Sequence, residues 1–314
     1  MLTQTQIDEF HRNGFLNGGR VLSDKEIGEL SDALDEILTK GPDGFDPDEA
    51  QPVSFRDLAG GGGVSDHPVW QIVNIWEAAP AWERLIYHPA VVRGISQLTG
   101  HADLQVWHDQ IQYKPARYGG STHWHQDAPL WPIIKPMTPV SAWIPLDDAT
   151  EENGCMWMVP GSHKWGNQIE FLRTQGDLSL LENFKDLQGF TPPADAEIRE
   201  VEARPCPVMR GEVSFHHSLT WHGSPFNQSP RPRRAIAIHY MTGAARFDQG
   251  GEHLMKQFVD LPDKAPMAEA GPHFPVVCRN GEPVGVPERL RVTSRTSEEW
   301  LATGQKRSTS PSDQ

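Results

Sequence analysis

The amino-acid sequence predicts a mainly β protein with peripheral helices, in which short strands form a double-sheet barrel or sandwich. The chain of 314 residues is long enough for one large core. Its 28 glycines and 27 prolines are more than one residue in six, against about one in eight in an average protein, which is typical of many turns between short strands. From Leu104 onward, apolar residues recur with the period of two that strands require.

The first hundred residues predict a helical segment ahead of this core, over about residues 1–100. Thr3 and Ser23 each begin a capping box, because a Gln or a Glu follows three residues later. Gly14 and Gly41 end these two helices. Pro89 stands at the first position of a later helix, where its missing N–H leaves no helical hydrogen bond unmade.

The predicted core covers about residues 104–243, where Gln110 and Gln112 alternate with Ile111 on the first strand. Further strands are predicted over residues 140–147, 156–159, 213–217 and 235–241. A C-terminal extension follows residue 243, and we expect residues 1–300 to form a single domain. The polar residues 301–314 are expected to be disordered.

Charge and composition exclude several classes of protein. The formal net charge is −14, which argues against a nucleic-acid-binding face, since such a face needs clustered Lys and Arg. No apolar run approaches the ~18–20 residues of a membrane span, and the first residues lack the features of a signal peptide. The 3 cysteines are widely spaced and do not predict a disulfide framework. We therefore expect a cytoplasmic protein with a small-molecule substrate as partner, no nucleic acid and no membrane; its oligomeric state stays open.

A His-x-Asp pair carries the chemistry that the sequence suggests. His125 and Asp127 lie two residues apart, so on a strand they point to the same face and can reach one ion. His222, which precedes Gly223 near a later strand end, is the best third ligand. Two histidines and one carboxylate form the facial triad of non-haem Fe(II) oxygenases, which leaves coordination positions open for a co-substrate and O₂.

Arg233 follows His222 by eleven residues, a distance that allows it to enter the neighbouring antiparallel strand. A guanidinium deep in the same barrel suits the distal carboxylate of a dicarboxylate co-substrate. Arg231 and Arg234 are alternatives, because a slip of one residue along a strand turns the other side chain inward.

Four stretches of the chain resemble the phytanoyl-CoA dioxygenase family of Fe(II)/2-oxoglutarate oxygenases. They are Trp124-His125-Gln126-Asp127, Ala142-Trp143, Asn153-Gly154-Cys155 followed by Pro160-Gly161-Ser162-His163, and the segment from His217 to His222-Gly223-Ser224 with Arg233. The pattern around Gly14-Phe15-Leu16 is also similar, so the resemblance covers about residues 1–243.

The resemblance implies a double-stranded β-helix (jelly-roll, cupin-like) core with His125, Asp127 and His222 as ligands of Fe(II). It implies that Arg233 binds the distal carboxylate of 2-oxoglutarate and that Trp143 lines this co-substrate. The implied reaction uses O₂, releases succinate and CO₂, and hydroxylates an unactivated C–H. Halogenation is not expected, because related halogenases replace the carboxylate of Asp127 with a small residue.

The remaining candidate residues follow from strand alternation and nearness to the triad. Gln112 is a candidate for co-substrate binding, and Gln110, which shares its face, for substrate contact. His123 shares the face of His125 and is expected to be a polar group of the site, while Trp131 follows the metal pair closely enough to border the substrate. His217 is expected to support the ligands or to serve packing.

Two other functions use the same residues. A zinc hydrolase could employ the same three ligands, but it has no evident need of a dicarboxylate-binding arginine. A non-catalytic small-molecule-binding protein would be expected to have lost part of the triad, which is intact here. The substrate stays open among acyl-CoA, free acid, amino acid and natural product, as does hydroxylation against desaturation or epoxidation.

Overall fold

Two β-sheets lie face to face, and helices cover the outer face of the larger one. The computed structural model describes residues 1–61, 63–100, 102–136, 140–175 and 184–291. Within these ranges the α-helices are α1 (Gln4–Asn13), α2 (Asp24–Lys40), α3 (Pro80–Ile86), α4 (Pro89–Leu98) and α5 (Ile169–Arg173). Short 3₁₀ helices cover Ile75–Glu77, Ala128–Leu130, Ser162–Lys164, Leu254–Phe258, Met267–Glu269 and Glu288–Leu290.

The strands run from β1 to β15 in chain order. They are β1 (Phe15–Arg20), β2 (Ser54–Asp57), β3 (Trp70–Val73), β4 (Leu104–Lys114), β5 (Thr122–His125), β6 (Ile134–Lys135), β7 (Val140–Pro145), β8 (Met156–Met158), β9 (Arg204–Cys206), β10 (Glu212–His217), β11 (His222–Ser224), β12 (Arg233–Thr242), β13 (Arg246–Phe247), β14 (Val276–Arg279) and β15 (Glu282–Pro283). These elements confirm the predicted mainly β class with peripheral helices.

The predicted helix caps are present. The Thr3 side chain accepts a hydrogen bond from the Gln6 backbone N–H, and the Gln6 side chain accepts one from the Thr3 backbone N–H. Ser23 and Glu26 make the same reciprocal pair at the start of α2. Gly14 ends α1 at φ 88°, a left-handed conformation that favours glycine.

The first hundred residues are only partly helical, which corrects the prediction of a helical segment. Strand β1 pairs with β10, and the β2–β3 hairpin pairs with β4, so all three join the larger sheet. Strand β1 contains two glycines and mixes buried with exposed positions without a regular period. Its conformation is set by pairing with a strand almost two hundred residues later, which a local pattern does not report.

The larger sheet has nine antiparallel strands in the order β1-β10-β7-β12-β4-β14-β15, with the β2–β3 hairpin beside β4. Alternation along β12 divides its residues between two environments. Ile236 and Ile238 pack with helices α1–α4 on the outer face, in the first core cluster. Ala235 and Ala237 pack toward the smaller sheet, in the second. Arg233 therefore faces inward with these alanines, because it lies two residues before Ala235.

The smaller sheet has the order β5-β11-β8-β9. Its Trp124, Met156 and Met158 pack in the same cluster as Trp143, Ala235 and Ala237 of the larger sheet. This shared core lies between the sheets, and the register of β5 and β11 places His222 directly opposite His125. The two predicted histidine ligands are thus neighbours at one end of the core.

The C-terminal extension packs onto the same end of the structure. Met255, Met267 and Phe274 form a third buried cluster with Trp107 of β4 and with Trp131. The predicted disordered tail, residues 301–314, lies outside the described residues. No helix in the described ranges is both long enough and apolar enough to cross a membrane.

Candidate active site

Three predicted ligands converge where β5 and β11 pair. The Nε2 atoms of His125 and His222 lie 3.6 Å and 3.5 Å from Oδ1 of Asp127. One ligand atom from each residue lies within 4.8 Å of the others. Asp127 sits two residues beyond His125, just past the end of β5, so one short segment and one opposing strand build the cluster.

Backbone carbonyls orient both histidine rings. His125 Nδ1 donates to the His123 carbonyl at 2.7 Å, and His222 Nδ1 donates to the Thr220 carbonyl at 2.9 Å. These hydrogen bonds leave each Nε2 lone pair directed toward Asp127. A metal-binding histidine commonly uses its second nitrogen in this way.

The second oxygen of Asp127 is engaged by two donors of the larger sheet. Oδ2 accepts hydrogen bonds from His216 Nε2 at 3.1 Å and from Ser141 Oγ at 3.2 Å. Burial alone would raise the pKa of this carboxyl, but the imidazoles of His222, His125 and His216 around it hold the pKa well below its usual range. The carboxylate is therefore ionised and presents Oδ1 to the two histidines.

A continuous chain of hydrogen-bonded side chains runs from Arg56 at the rim of the site to Asp127, and we call it the donor chain. Each member donates to the next: Arg56 to Gln71 Oε1 (2.8 and 2.6 Å), Gln71 to Gln110 Oε1 (2.8 Å), Gln110 to His239 Nε2 (3.4 Å), His239 Nδ1 to Ser141 Oγ (2.7 Å), and Ser141 to Asp127 Oδ2 (3.2 Å). Burial lowers the pKa of His239 to about 3, so its ring is neutral and has one N–H to donate.

A cavity of about 470 Å³ opens beside this cluster, within the range of small-molecule sites. His125, Asp127 and Arg233 line it. The cavity is also lined by the four residues Gln110, Gln112, His123 and Trp131 that the sequence predicts for substrate or co-substrate contact.

Arg233 is the arginine that reaches the cavity, which decides among the three predicted alternatives. Its side chain is 1% exposed, and its Nε has no hydrogen-bond partner in the described part of the chain. Burial lowers its pKa to about 10, so it is charged at neutral pH. Arg234 points to the opposite face, where it pairs with Asp147 at 3.0 Å, and Arg231 is exposed.

Trp143 supports the cavity from behind and is not among the residues that line it, which differs from the expected lining position. Its ring lies 5.4 Å from the Arg233 guanidinium carbon, and its indole N–H donates to Gln112 Oε1 at 3.0 Å. Gln112 also accepts from Arg233 through its backbone carbonyl at 3.4 Å. Trp143 thus holds both Gln112 and Arg233 in place.

His217 has no hydrogen bond to the ligand cluster, which agrees with the packing alternative of its prediction. Its Nδ1 accepts a hydrogen bond from the Leu219 backbone at 3.1 Å, and its ring lies 5.4 Å from that of His163. The preceding residue, His216, occupies the position beside Asp127, because neighbouring residues on β10 point to opposite faces.

Several residues of the site have no role in the sequence-based prediction. Ser141 and His216 could have been found from alternation, since Ser141 lies two residues before Trp143 on β7. Arg56 and Gln71 belong to the hairpin that carried no strand signal. His253, which lines the cavity from the C-terminal extension, had no local signal at all.

Comparison with known proteins places this fold and this site in one family. A sequence model described as Phytanoyl-CoA dioxygenase (PhyH) matches residues 10–235. The chain belongs to the phytanoyl-CoA dioxygenase family. Phytanoyl-CoA dioxygenase domain-containing protein 1 of Bos taurus is 28% identical over 273 residues, which are 77% of this chain and 91% of that protein. Ectoine dioxygenase of Bordetella parapertussis is 26% identical over 250 residues, 76% of this chain and 75% of that protein.

A solved structure is similar over most of its length. The non-haem, α-ketoglutarate-dependent carbocyclase SnoK from nogalamycin biosynthesis is 25% identical, with a TM-score of 0.66, and the match covers 88% of this chain and 96% of that one. Membership of the phytanoyl-CoA dioxygenase family confirms the predicted jelly-roll fold and the dioxygenase class. It also confirms Fe(II), 2-oxoglutarate and O₂ as the cofactor and co-substrates.

Proposed function

We propose that His125, Asp127 and His222 bind Fe(II) and that Arg233 binds the distal carboxylate of 2-oxoglutarate, in an enzyme that hydroxylates a C–H of a small organic metabolite. The observation that carries this proposal is the shared cavity. It is lined by members of a His-Asp-His cluster and by a buried arginine that has no carboxylate within salt-bridge distance among the described residues.

The residues present fit the iron and the co-substrate. The donor set is two imidazole nitrogens and one carboxylate oxygen, which suits Fe(II) and leaves open positions. The unpartnered Nε of Arg233 fits one end of a dicarboxylate. When bound, iron and 2-oxoglutarate supply the oxidation by O₂ that releases succinate and CO₂ and hydroxylates the substrate.

The chain's own residues orient and shield these groups. His216 and Ser141 hold Oδ2 of Asp127, so this ligand presents Oδ1 to the metal position. Gln112 and Trp143 steady the guanidinium of Arg233. A zinc hydrolase would use the same triad, but it would leave the charge of Arg233 buried without a counter-ion, which is costly.

Three cavity residues are proposed to contact the substrate. Trp131 is 5% exposed, and its ring lies 4.7 Å from that of His239. Gln110 belongs to the donor chain, and His123 is exposed on the face of His125. Trp131→Ala should therefore alter substrate-stimulated turnover more than 2-oxoglutarate affinity. A cytoplasmic location stays a prediction from the sequence.

The decisive test is an anaerobic titration of 2-oxoglutarate into Fe(II)-loaded protein, monitored by the weak visible charge-transfer band. The wild-type protein should develop the band, Asp127→Ala should lose it together with iron, and Arg233→Met should require far more 2-oxoglutarate. Absence of the band in folded, iron-loaded wild-type protein would overturn the proposal, and metal analysis would then test the zinc alternative.

A further inference from the structure

The charges that line the cavity are opposite in sign to the charge of the whole protein. The chain carries a formal net charge of −14. The lining nevertheless contains three basic residues, Arg56, Lys114 and Arg233, and one carboxylate, Asp127; burial lowers the pKa of Lys114 well below its usual range. Asp127 is the proposed metal ligand, so the cations are left to meet anions that enter the cavity.

Two of the three cations already have a role. Lys114 is 2% exposed and donates to the backbone carbonyls of Gly120, Ser224 and Pro225 at 2.7, 3.2 and 2.6 Å. These three acceptors satisfy its ammonium group. Arg233 is the proposed partner of 2-oxoglutarate. Neither side chain is free to take a second anion.

Arg56 heads the donor chain and still has hydrogen-bond donors to spare. Its Nε and Nη2 both donate to a single oxygen, Gln71 Oε1. In the part of the chain that the structure describes, Nη1 has no acceptor and no carboxylate lies within salt-bridge distance of the guanidinium. The side chain is exposed at the cavity rim, where an incoming oxyanion would complete its hydrogen bonds.

The β2–β3 hairpin holds Arg56 at a defined place. Arg56 is paired with Gln71, which is paired with Gln112 on β4. Neighbouring strands lie about 4.8 Å apart, so the Arg56 backbone is about 10 Å from that of Gln112. The following loop is fastened by Asp57, whose carboxylate accepts from the backbone of Ala59, Ser65 and Val69 at 2.9, 2.8 and 2.7 Å.

Apolar side chains line the space between the rim and the metal cluster. Leu58 and Leu130, which are 54% and 43% exposed, present apolar surface to the cavity. Val69 and Trp131 continue this surface into the cavity. The part of a ligand that lies against these side chains is expected to be apolar.

We propose that the substrate is an amphipathic carboxylate, whose anionic group pairs with Arg56 and whose apolar body lies along Leu58, Val69 and Leu130 toward the metal cluster. A carboxylate fits better than a phosphate dianion or a nucleotide thioester, because Arg56 is the one lining cation that keeps donors for a substrate anion once Lys114 and Arg233 are assigned to their partners. This inference rests on the proposed function.

The test measures binding of defined probes to holoenzyme loaded with Fe(II) and 2-oxoglutarate without O₂. The probes are straight-chain alkanoates from butanoate to decanoate, the primary amides of the same acids, and alkyl phosphates of the same lengths. Binding is followed by the visible band and by tryptophan fluorescence, and stimulation of 2-oxoglutarate consumption is then measured in air. Variants are Arg56→Gln, Arg56→Lys and, as a matched exposed control away from the cavity, Arg199→Gln.

We expect carboxylates to bind about tenfold or more tightly than their amides, the size of one charge-assisted hydrogen bond near a surface. Arg56→Gln should abolish that preference, Arg56→Lys should restore part of it, and Arg199→Gln should not change it. Equal binding of acids and amides, tighter binding of phosphates, an unchanged preference in Arg56→Gln, or no carboxylate binding at all would overturn the inference. Failure of the wild-type protein to bind 2-oxoglutarate would instead overturn the proposed function, which separates the two.

Discussion

Separate substitutions of the two adjacent arginines on β12 should affect different properties, co-substrate binding for Arg233 and stability for Arg234. Arg233 lies in the cavity, 1% exposed and without a salt-bridge partner in the described residues. Arg234 faces the other side, where it pairs with Asp147 at 3.0 Å. Methionine keeps most of the length of either stem and removes its charge, so Arg233→Met and Arg234→Met are a matched pair.

The magnitudes follow from burial. Breaking a buried, hydrogen-bonded charge pair costs about 3–5 kcal/mol, so Arg233→Met should weaken 2-oxoglutarate binding on the order of a hundred- to a few-thousandfold. It should not lower the stability of the protein without co-substrate, because no ion pair is lost. Arg234→Met should lose about 1 kcal/mol of stability, as expected for a partly exposed pair, and keep its 2-oxoglutarate affinity.

Anaerobic calorimetric titration of 2-oxoglutarate into the Fe(II) enzyme gives the affinity, and urea unfolding gives the stability. Arg233→Lys should recover part of the affinity, since it restores the charge without the planar fork. Equal losses of affinity in the two methionine variants, or normal affinity in Arg233→Met, would refute Arg233 as the partner of the co-substrate.

Three further predictions concern the surroundings of the site. His216→Ala should weaken Fe(II) binding about 10-fold to 100-fold, because it removes one donor to Asp127; His217→Ala, on the other face of the strand, should leave the metal affinity unchanged, and equal effects would contradict the assignment. Trp143→Phe should weaken 2-oxoglutarate binding several-fold, because it removes the indole N–H that donates to Gln112. Trp157→Phe serves as control, since the Trp157 indole has no partner in the described chain. Burial lowers the pKa of His217 to about 3, so the unfolded chain takes up its proton at a higher pH than the folded one. His217 should therefore lower the free energy of unfolding by about 2 kcal/mol between pH 7 and pH 5. Urea unfolding of His217→Gln should show a pH-dependent loss of stability that is smaller by this amount.

The fold was predictable where the signal is local. Capping boxes at Thr3 and Ser23 and the period-two pattern of β4, β7 and β12 specify elements that the structure contains. The strands β1 and β3 were not predictable, because they pair with β10 and β4 farther along the chain, and β2 pairs only with β3. An edge strand can form without a strong alternation of apolar and polar residues when a neighbouring strand provides its backbone hydrogen bonds.

The site divides in the same way. His125 and Asp127 share a face by spacing alone, His222 and Arg233 were candidates from their positions along the chain, and the family resemblance implied the same residues. The choice of Arg233 over Arg234 required the register of β12, since one residue separates a cavity position from a surface ion pair. Arg56 and His253 reach the cavity from a hairpin and an extension for which the sequence suggested no role.

The five contacts of the donor chain share one direction, so they are coupled to one another. A guanidinium cannot accept a hydrogen bond and an ionised carboxylate cannot donate one, so Arg56 and Asp127 impose the same direction from opposite ends. The amides of Gln71 and Gln110, the tautomer of His239 and the hydroxyl of Ser141 must then be oriented together, because reversing one leaves two donors or two acceptors facing each other. Replacing Gln71 or Gln110 by Glu exchanges one NH₂ group for an oxygen and removes a donor from the chain. The hydrogen bonding of Asp127, several side chains away, would therefore change, because the direction of each hydrogen bond depends on that of its neighbours.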